Sequence, residues 1–260
     1  MSGKTHIEWT EVTWNPTTGC TKVSAGCKNC YAERWALMQK KRGIAQYRNG
    51  FALQLASSRL HEPYSWRNPK VVFVNSMSDL FHDDIPTEYI QQVFKVMNEL
   101  PMHTFQILTK RIERVRKLVG ILQWTENIWM GVSVENKLTK HRINVLRNIP
   151  AIVRFVSFEP LLEDLGKLSL QNIHWVIVGG ESGGKARTIK KEWIQNIQEA
   201  CRQQSAMFYF KQWGKREFNP DSNDPSLKKS HIYHSRDGSF LNGELYRTIP
   251  LRNFSTNAAR

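Results

Sequence analysis

Three of the chain's four cysteines lie within eleven consecutive residues, at Cys20, Cys27 and Cys30, in the pattern C-x6-C-x2-C. Gly19, Gly26 and short polar residues surround them, so the segment reads as a loop. Directly after Cys30, the run Tyr31-Ala32-Glu33-Arg34-Trp35-Ala36-Leu37-Met38 has helical character. Thiolates gathered on a loop that opens a helix can ligate zinc or an iron–sulfur cluster. On a 4Fe–4S cluster, three thiolates leave one iron without a protein ligand and open to a small molecule. For zinc, Cys27 and Cys30 form a half-site, with His6 or Cys201 as candidates to complete a tetrahedral set. Cys201 lies mid-helix in Glu199-Ala200-Cys201-Arg202, where a buried small thiol is the plain expectation.

The elements that must position this loop follow in chain order. A first strand is expected between Ile7 and Trp14, ended by Pro16 and Gly19. The helix after Cys30 should run to about Lys41, with Gly43 as its stop. Residues 44–68 are irregular and broken at His61-Glu62-Pro63; they suit a loop or helix covering the mouth of a barrel. From Lys70 onward, apolar runs predict strands over 70–75, 103–109, 127–134, 151–157, 173–179 and 207–211. Helices are expected over 87–100, 112–118, 140–147 and 191–203. Strands alternating with helices predict parallel βα units, and near-continuous apolar strands predict a sheet covered on both faces. The expected fold is α/β: a full or partial TIM-type barrel over residues 1–214. Residues 215–260, with turn signals at Asp237-Gly238 and Leu241-Asn242-Gly243-Glu244, are expected to form a small C-terminal appendage packed on it.

In such a sheet the chemistry sits at the strand C-termini. Almost every expected strand ends there in polar or charged residues, which a purely structural barrel does not need; a structural zinc site would leave them unexplained. Asn75, Ser76, Asp79, Ser133, Glu135, Gly179, Gly180 and Glu181 are the candidates to bind a cofactor, the glycines because they allow close backbone approach. His82, Lys110, Glu159 and Lys211 are the candidates for catalysis. Arg111, Lys211, Gln212 and Trp213 are the candidates to hold substrate. Basic and aromatic residues interleave in Phe208-Tyr209-Phe210-Lys211-Gln212-Trp213-Gly214-Lys215-Arg216. Aromatic faces stack unpaired bases while Lys and Arg hold phosphates, although Phe208 and Phe210 also suit a strand core.

The formal net charge of +14 favours a nucleic acid or nucleotide partner. It is not confined to a tail: Ser182 to Arg260 carries 14 Lys/Arg against 7 Asp/Glu, half of the excess. No apolar run is long enough to span a membrane and the N-terminus is not a secretory signal, so a cytoplasmic protein with reduced thiols is expected. No hydrolase triad or P-loop stands out.

A three-cysteine loop after the first strand of a βα barrel resembles the radical SAM superfamily, although there the first gap is three residues rather than six. A closer resemblance spans nearly the whole chain. It rests on Trp14-Asn15-Pro16, the cysteine loop, Val74-Asn75-Ser76-Met77-Ser78-Asp79-Leu80-Phe81-His82, Leu108-Thr109-Lys110-Arg111 and Gly131-Val132-Ser133-Val134-Glu135. Phe158-Glu159-Pro160-Leu161-Leu162, Val178-Gly179-Gly180-Glu181-Ser182-Gly183 and Phe210-Lys211-Gln212-Trp213-Gly214 complete it. These motifs resemble an uncharacterised radical-SAM-like family of phages, prophages and bacteria, some members of which are encoded beside a three-Cys-motif partner protein. The resemblance implies a barrel of radical SAM type. It also implies a 4Fe–4S cluster on Cys20, Cys27 and Cys30, S-adenosylmethionine (SAM) and an external electron donor. The expected activity is radical modification or repair of a nucleic acid or nucleotide. The alternative is a nucleic-acid-binding module with a structural or sensing iron–sulfur or zinc site.

Overall fold

The computed structural model describes residues 5, 7–221 and 238–251. Seven parallel strands form one sheet in chain order: β1 Val12–Trp14, β2 Val71–Val74, β3 Thr104–Thr109, β4 Ile128–Ser133, β5 Arg154–Phe158, β6 Trp175–Gly179 and β7 Met207–Gln212. The helices are α1 Tyr31–Lys41, α2 Thr87–Glu99, α3 Ile112–Leu118, α4 His141–Leu146 and α5 Lys191–Gln203. Register pairs Trp14 with Val74, Thr109 with Val132, Ser133 with Ser157, and Phe158 with Val178.

Alternation along each strand separates two cores. Trp14, Val72, Val74, Phe105, Ile107, Met130, Val156, Val178 and Phe210 join the large core that includes α2, α3 and α5 residues. The residues between them point the other way. Phe73, Trp129, Phe155, Trp175, Ile177 and Tyr209 form a second, mostly aromatic core with Trp9. That core shows the sheet is curled. β2 and β6 are four strand spacings apart, about 19 Å in a flat sheet. Yet Trp9 touches both Phe73 and Trp175, at ring-centroid distances of 4.8 and 5.8 Å. Gly131 makes room for this inner core: a Cβ there would fall 2.4 Å from the Phe155 ring. β1 and β7 remain the two edges of the sheet, so the barrel is partial.

The expected boundaries differ most in three places. The first strand is only Val12–Trp14, because Thr10 N closes a turn on Ile7 O (3.2 Å) and sends Trp9 into the inner core. β5 begins at Arg154 rather than Ala151, since the Arg154 guanidinium binds the carbonyls of Ile149 and Ala151 at 3.2 and 2.7 Å and holds them in a turn. Residues 44–68 contain three short 3₁₀ turns and the two-residue strand Gln54–Leu55, paired antiparallel with Thr17–Thr18. At the other end Phe240–Leu241 and Glu244–Leu245 form a hairpin. Its turn residues Asn242 and Gly243 have φ of 54° and 78°, as a tight primed turn requires. The hairpin region lies along β7: Trp213 Nε1 donates to Phe240 O (2.9 Å) and Arg247 Nη1 to Phe210 O (3.0 Å). Asp237 lies outside the described residues. No described helix is long and apolar enough to cross a membrane.

Candidate functional site

The cysteine loop lies across the C-terminal ends of the strands. Its entry is fixed by backbone. Gly19 N donates to Met77 O (3.0 Å) and Cys20 N to Phe51 O (3.2 Å). Gly19 has φ of 83°, and a Cβ there would lie 2.1 Å from Ala52 O, so only glycine fits. A 3₁₀ turn over Ala25–Cys27 follows, and Cys30 is the N-cap of α1. All three thiols are free and partly exposed.

Three strand-end carboxylates hold this loop in place. After β2, Asp79 accepts from Thr109 Oγ1 (2.7 Å), Lys110 N (3.0 Å) and Arg111 Nη1 (3.3 Å). Arg111, itself buried, donates on to Cys20 Sγ (3.4 Å), Thr21 O (3.1 Å) and Thr21 Oγ1 (2.9 Å). Burial, then the Asp79 charge, push the Cys20 thiol above its ordinary value, and Arg111 pulls it back. After β4, Glu135 is fully buried. It accepts from Ser24 Oγ at 2.7 Å and pairs with Lys110 Nζ at 3.3 Å and Arg142 Nη1 at 3.1 Å. Gly26 lies against it; a Cβ there would meet Glu135 Cγ at 2.5 Å. Burial alone would raise the Glu135 pKa, but Lys110, Arg142 and the Ser24 hydroxyl outweigh it and hold the group below the usual carboxylate value. After β6, Glu181 accepts from Asn29 Nδ2 (2.9 Å), between the second and third cysteines, and pairs with Arg187. Burial raises its pKa less than Arg187 and Asn29 lower it.

The loop after β2 is a polar lattice. Asn15 Oδ1 accepts from Met77 N (2.9 Å) and Ser76 Oγ (3.2 Å), and the Tyr31 hydroxyl donates to Ser76 O. Asn75, at φ of 63°, donates to Thr17 Oγ1 and Ser78 Oγ, while its buried Oδ1 has no partner. His82 is buried. Asp84 N donates to its Nδ1 (3.2 Å), so Nε2 carries the proton and donates to Thr21 Oγ1 (2.8 Å). Burial, then Arg111, hold this imidazole below its ordinary 6.5. The unfolded chain therefore binds more protons than the native one just below pH 6.5. Stability is full above that pH and falls as pH drops through the window, by at most about 1.4 kcal/mol per unit. His82→Gln, followed by urea denaturation between about pH 7.5 and 5.5, is expected to flatten that loss. An unchanged slope would assign it elsewhere.

The opposite wall comes from β5 to β7. Glu159 accepts from Ser157 Oγ (3.1 Å) and pairs with Lys211 Nζ at 3.0 Å. Gly179 lets that carboxylate in, since a Cβ there would lie 2.6 Å from Glu159 Oε1. Gln212 is held to Gly180 by two bonds: Gly180 N donates to Gln212 O (2.8 Å) and Gln212 Nε2 to Gly180 O (3.2 Å). Trp213 is fully buried, with a Gly180 Cβ position only 2.0 Å from its carbonyl oxygen. Ser133 is buried, its carbonyl accepting from Arg142 (2.7 Å). Of the residues singled out from sequence, Asp79, His82, Arg111, Lys110, Glu135 and Glu181 meet the cysteine loop directly or through one partner. Lys211 and Glu159 form a separate pair, and Trp213 belongs to the core. Ser24, Asn29, Thr21 and Arg142 were not singled out; the signal for them was three carboxylates at strand ends, each of which needs partners when buried.

Among the described residues, no three His, Cys, Asp or Glu side chains converge as the ligand set of a single ion. Zinc, with bonds of about 2.3 Å to sulfur, needs that tight convergence. A cluster would instead take one thiolate on each of three separate irons. Cys201 is buried in the helix–sheet core, where burial pushes its thiol up to about 12. His6 lies outside the described residues.

No curated protein matches the chain. Solved structures of spore photoproduct lyase resemble it at the level of the trace. A double mutant with bound AdoMet and dinucleoside spore photoproduct gives a TM-score of 0.45 at 10% identity, covering 76% of this chain and 63% of that one. The lyase complexed with dinucleoside spore photoproduct gives 0.47 at 10% identity, covering 78% and 64%. The chain thus spans just under two thirds of the length of the structures it matches. Residues 4–250 match the model of a family described as Protein of unknown function (DUF5131), and the chain belongs to that family.

Proposed function

We propose that this chain is an iron–sulfur, radical-SAM-like enzyme that modifies or repairs a nucleic acid or nucleotide. The observation that carries the reading is the anchoring of a three-thiol loop, through Arg111, Ser24 and Asn29, to the carboxylates of three strand ends. Cys20, Cys27 and Cys30 would hold a 4Fe–4S cluster, leaving one iron for SAM. When bound, that group supplies one-electron reductive cleavage of SAM, and the resulting 5′-deoxyadenosyl radical takes a hydrogen from substrate.

The chain's own residues bind, orient and shield. Arg111 places a charge-assisted donor on Cys20 Sγ, which favours the thiolate that metal binding requires. Asn75 Oδ1, buried and unpartnered at the end of β2, is the acceptor we assign to the SAM amino group. Lys211, fixed by Glu159 and a quarter exposed, is the cation we assign to a carboxylate or phosphate at the mouth. The inner core of Trp9, Phe73, Phe155 and Trp175, its rings linked through Trp9 and Trp175, closes the floor to water. The basic surface supports a polyanionic substrate.

The test is product formation. After anaerobic reconstitution and dithionite reduction, added SAM is expected to yield 5′-deoxyadenosine by liquid chromatography and mass spectrometry. A fully loaded cluster that gives none with several reductants and with nucleic acid present would overturn the enzymatic reading in favour of a structural or sensing site.

A further inference from the structure

Helix α1 carries Tyr31, Arg34, Trp35 and Met38 at i, i+3, i+4 and i+7, on one face. That face is one wall of an open cleft of about 680 Å³. Segments 183–184 and 214–217 form the other wall, which brings Lys215 and Arg216 across from the helix. Tyr31 and Trp35 are 52% and 41% exposed. Trp35 is held edge-on by Tyr47, with ring centroids 5.0 Å apart, so its indole has a fixed pose. Arg34 is seated as well: Nη2 donates to Ser182 O at 2.9 Å, and the guanidinium fills the space that a Gly183 side chain would take.

Exposed apolar surface is concentrated here. Of fourteen exposed large hydrophobic residues among those described, three, Tyr31, Trp35 and Met38, line this one cleft. Such concentration marks an interaction surface. Its charge says which kind. Three cations, Arg34, Lys215 and Arg216, line the cleft with one carboxylate, Glu217, which pairs with Lys215 at 3.1 Å. Flat aromatic faces beside cations match a polyanion whose bases are unpaired. A duplex hides its base faces, and the cleft's excess of cations over carboxylates favours a polyanion over an apolar protein helix. The cleft also starts one residue after Cys30, at the proposed reaction centre.

We propose that this cleft binds single-stranded nucleic acid and leads it to the cysteine loop. An unpaired base stacks on Trp35 or Tyr31, and phosphates lie on Arg34, Lys215 and Arg216. The choice of substrate class rests on the function proposed above, but binding needs neither reductant nor SAM and is measured without them.

The experiment is fluorescence anisotropy of full-length protein, with its cluster reconstituted, against a labelled oligothymidylate and a duplex of equal length. The single strand is expected to bind more tightly. Trp35→Ala should weaken it about tenfold or more, and Trp35→Phe should keep most of the affinity. Lys215→Ala should weaken binding and reduce the slope of log affinity against log salt by about 0.7. Thermal melts should show Trp35→Ala folded like the parent. Unchanged affinity in Trp35→Ala, or a duplex bound as tightly as the single strand, overturns the proposal. So does a Trp35→Ala variant that loses self-association while keeping oligonucleotide binding, since that assigns the face to protein. If SAM is not cleaved but binding follows this pattern, the cleft stands and the reaction falls; if SAM is cleaved and Trp35→Ala is silent, the reverse holds.

Discussion

Glu135→Ala is expected to destabilise the fold by about 3 kcal/mol, the lower end of the range for breaking a buried ion pair. The carboxylate is fully buried and serves two cations and one hydroxyl. Removing it leaves Arg142 buried with its bond to Ser133 O at 2.7 Å. Lys110 can turn partly to water, its side chain being 21% exposed, which is why the upper end is not reached. The change also releases Ser24, midway along the cysteine loop, so iron retention should fall with stability. Glu135→Gln keeps an acceptor for Ser24 and should lose less. Urea denaturation measures both. A loss under about 1 kcal/mol for the alanine variant, within the range of an exposed pair, would contradict the role given to this carboxylate.

Cys30→Ala has the largest expected effect on the metal site. The reconstituted parent should hold about four irons and matching sulfide per chain. Cys30→Ala should hold a small fraction of that and should form no 5′-deoxyadenosine. Cys201→Ala is the matched control: its thiol lies on α5, buried in the helix–sheet core, so it should keep its iron while losing some stability. Iron and sulfide analysis, with absorbance near the charge-transfer band, reads the result. Full iron in Cys30→Ala would displace this cysteine from the ligand set. One zinc per chain in the parent would replace the cluster with the tetrahedral alternative.

The fold was legible where one local signal decided. Near-continuous apolar runs at Val71–Val74 and Trp175–Gly179 read as buried parallel strands. Polar loop residues before Tyr31, and Gly43 beyond Lys41, bounded α1. It was less legible where a side-chain contact or a distant partner decided. Arg154 shortens β5 by reaching back to two carbonyls, which no periodicity shows. Whether the barrel closes depends on pairing of β1 with β7, at opposite ends of the chain.

The site follows the same division. Strand-end position picked out Asp79, Glu135 and Glu181, but their partners Thr21, Ser24 and Asn29 look in sequence like ordinary small polar loop residues. The spacing of more than a hundred residues between Ser24 and Glu135 hides the contact. Alternation separates Lys211 from its neighbours: Phe208 and Phe210 join the outer core, while Tyr209 joins the inner one. Trp213 carried a legible aromatic–basic signal, yet Phe240, far along the chain, takes its indole N–H.

The most direct test of the central claim is the electron paramagnetic resonance spectrum of the reduced, reconstituted protein with and without SAM. An open iron on a three-cysteine cluster predicts a 4Fe–4S signal whose g values shift when SAM is added. A cluster signal that SAM leaves unchanged, or no iron signal in a fully metallated protein, would contradict it.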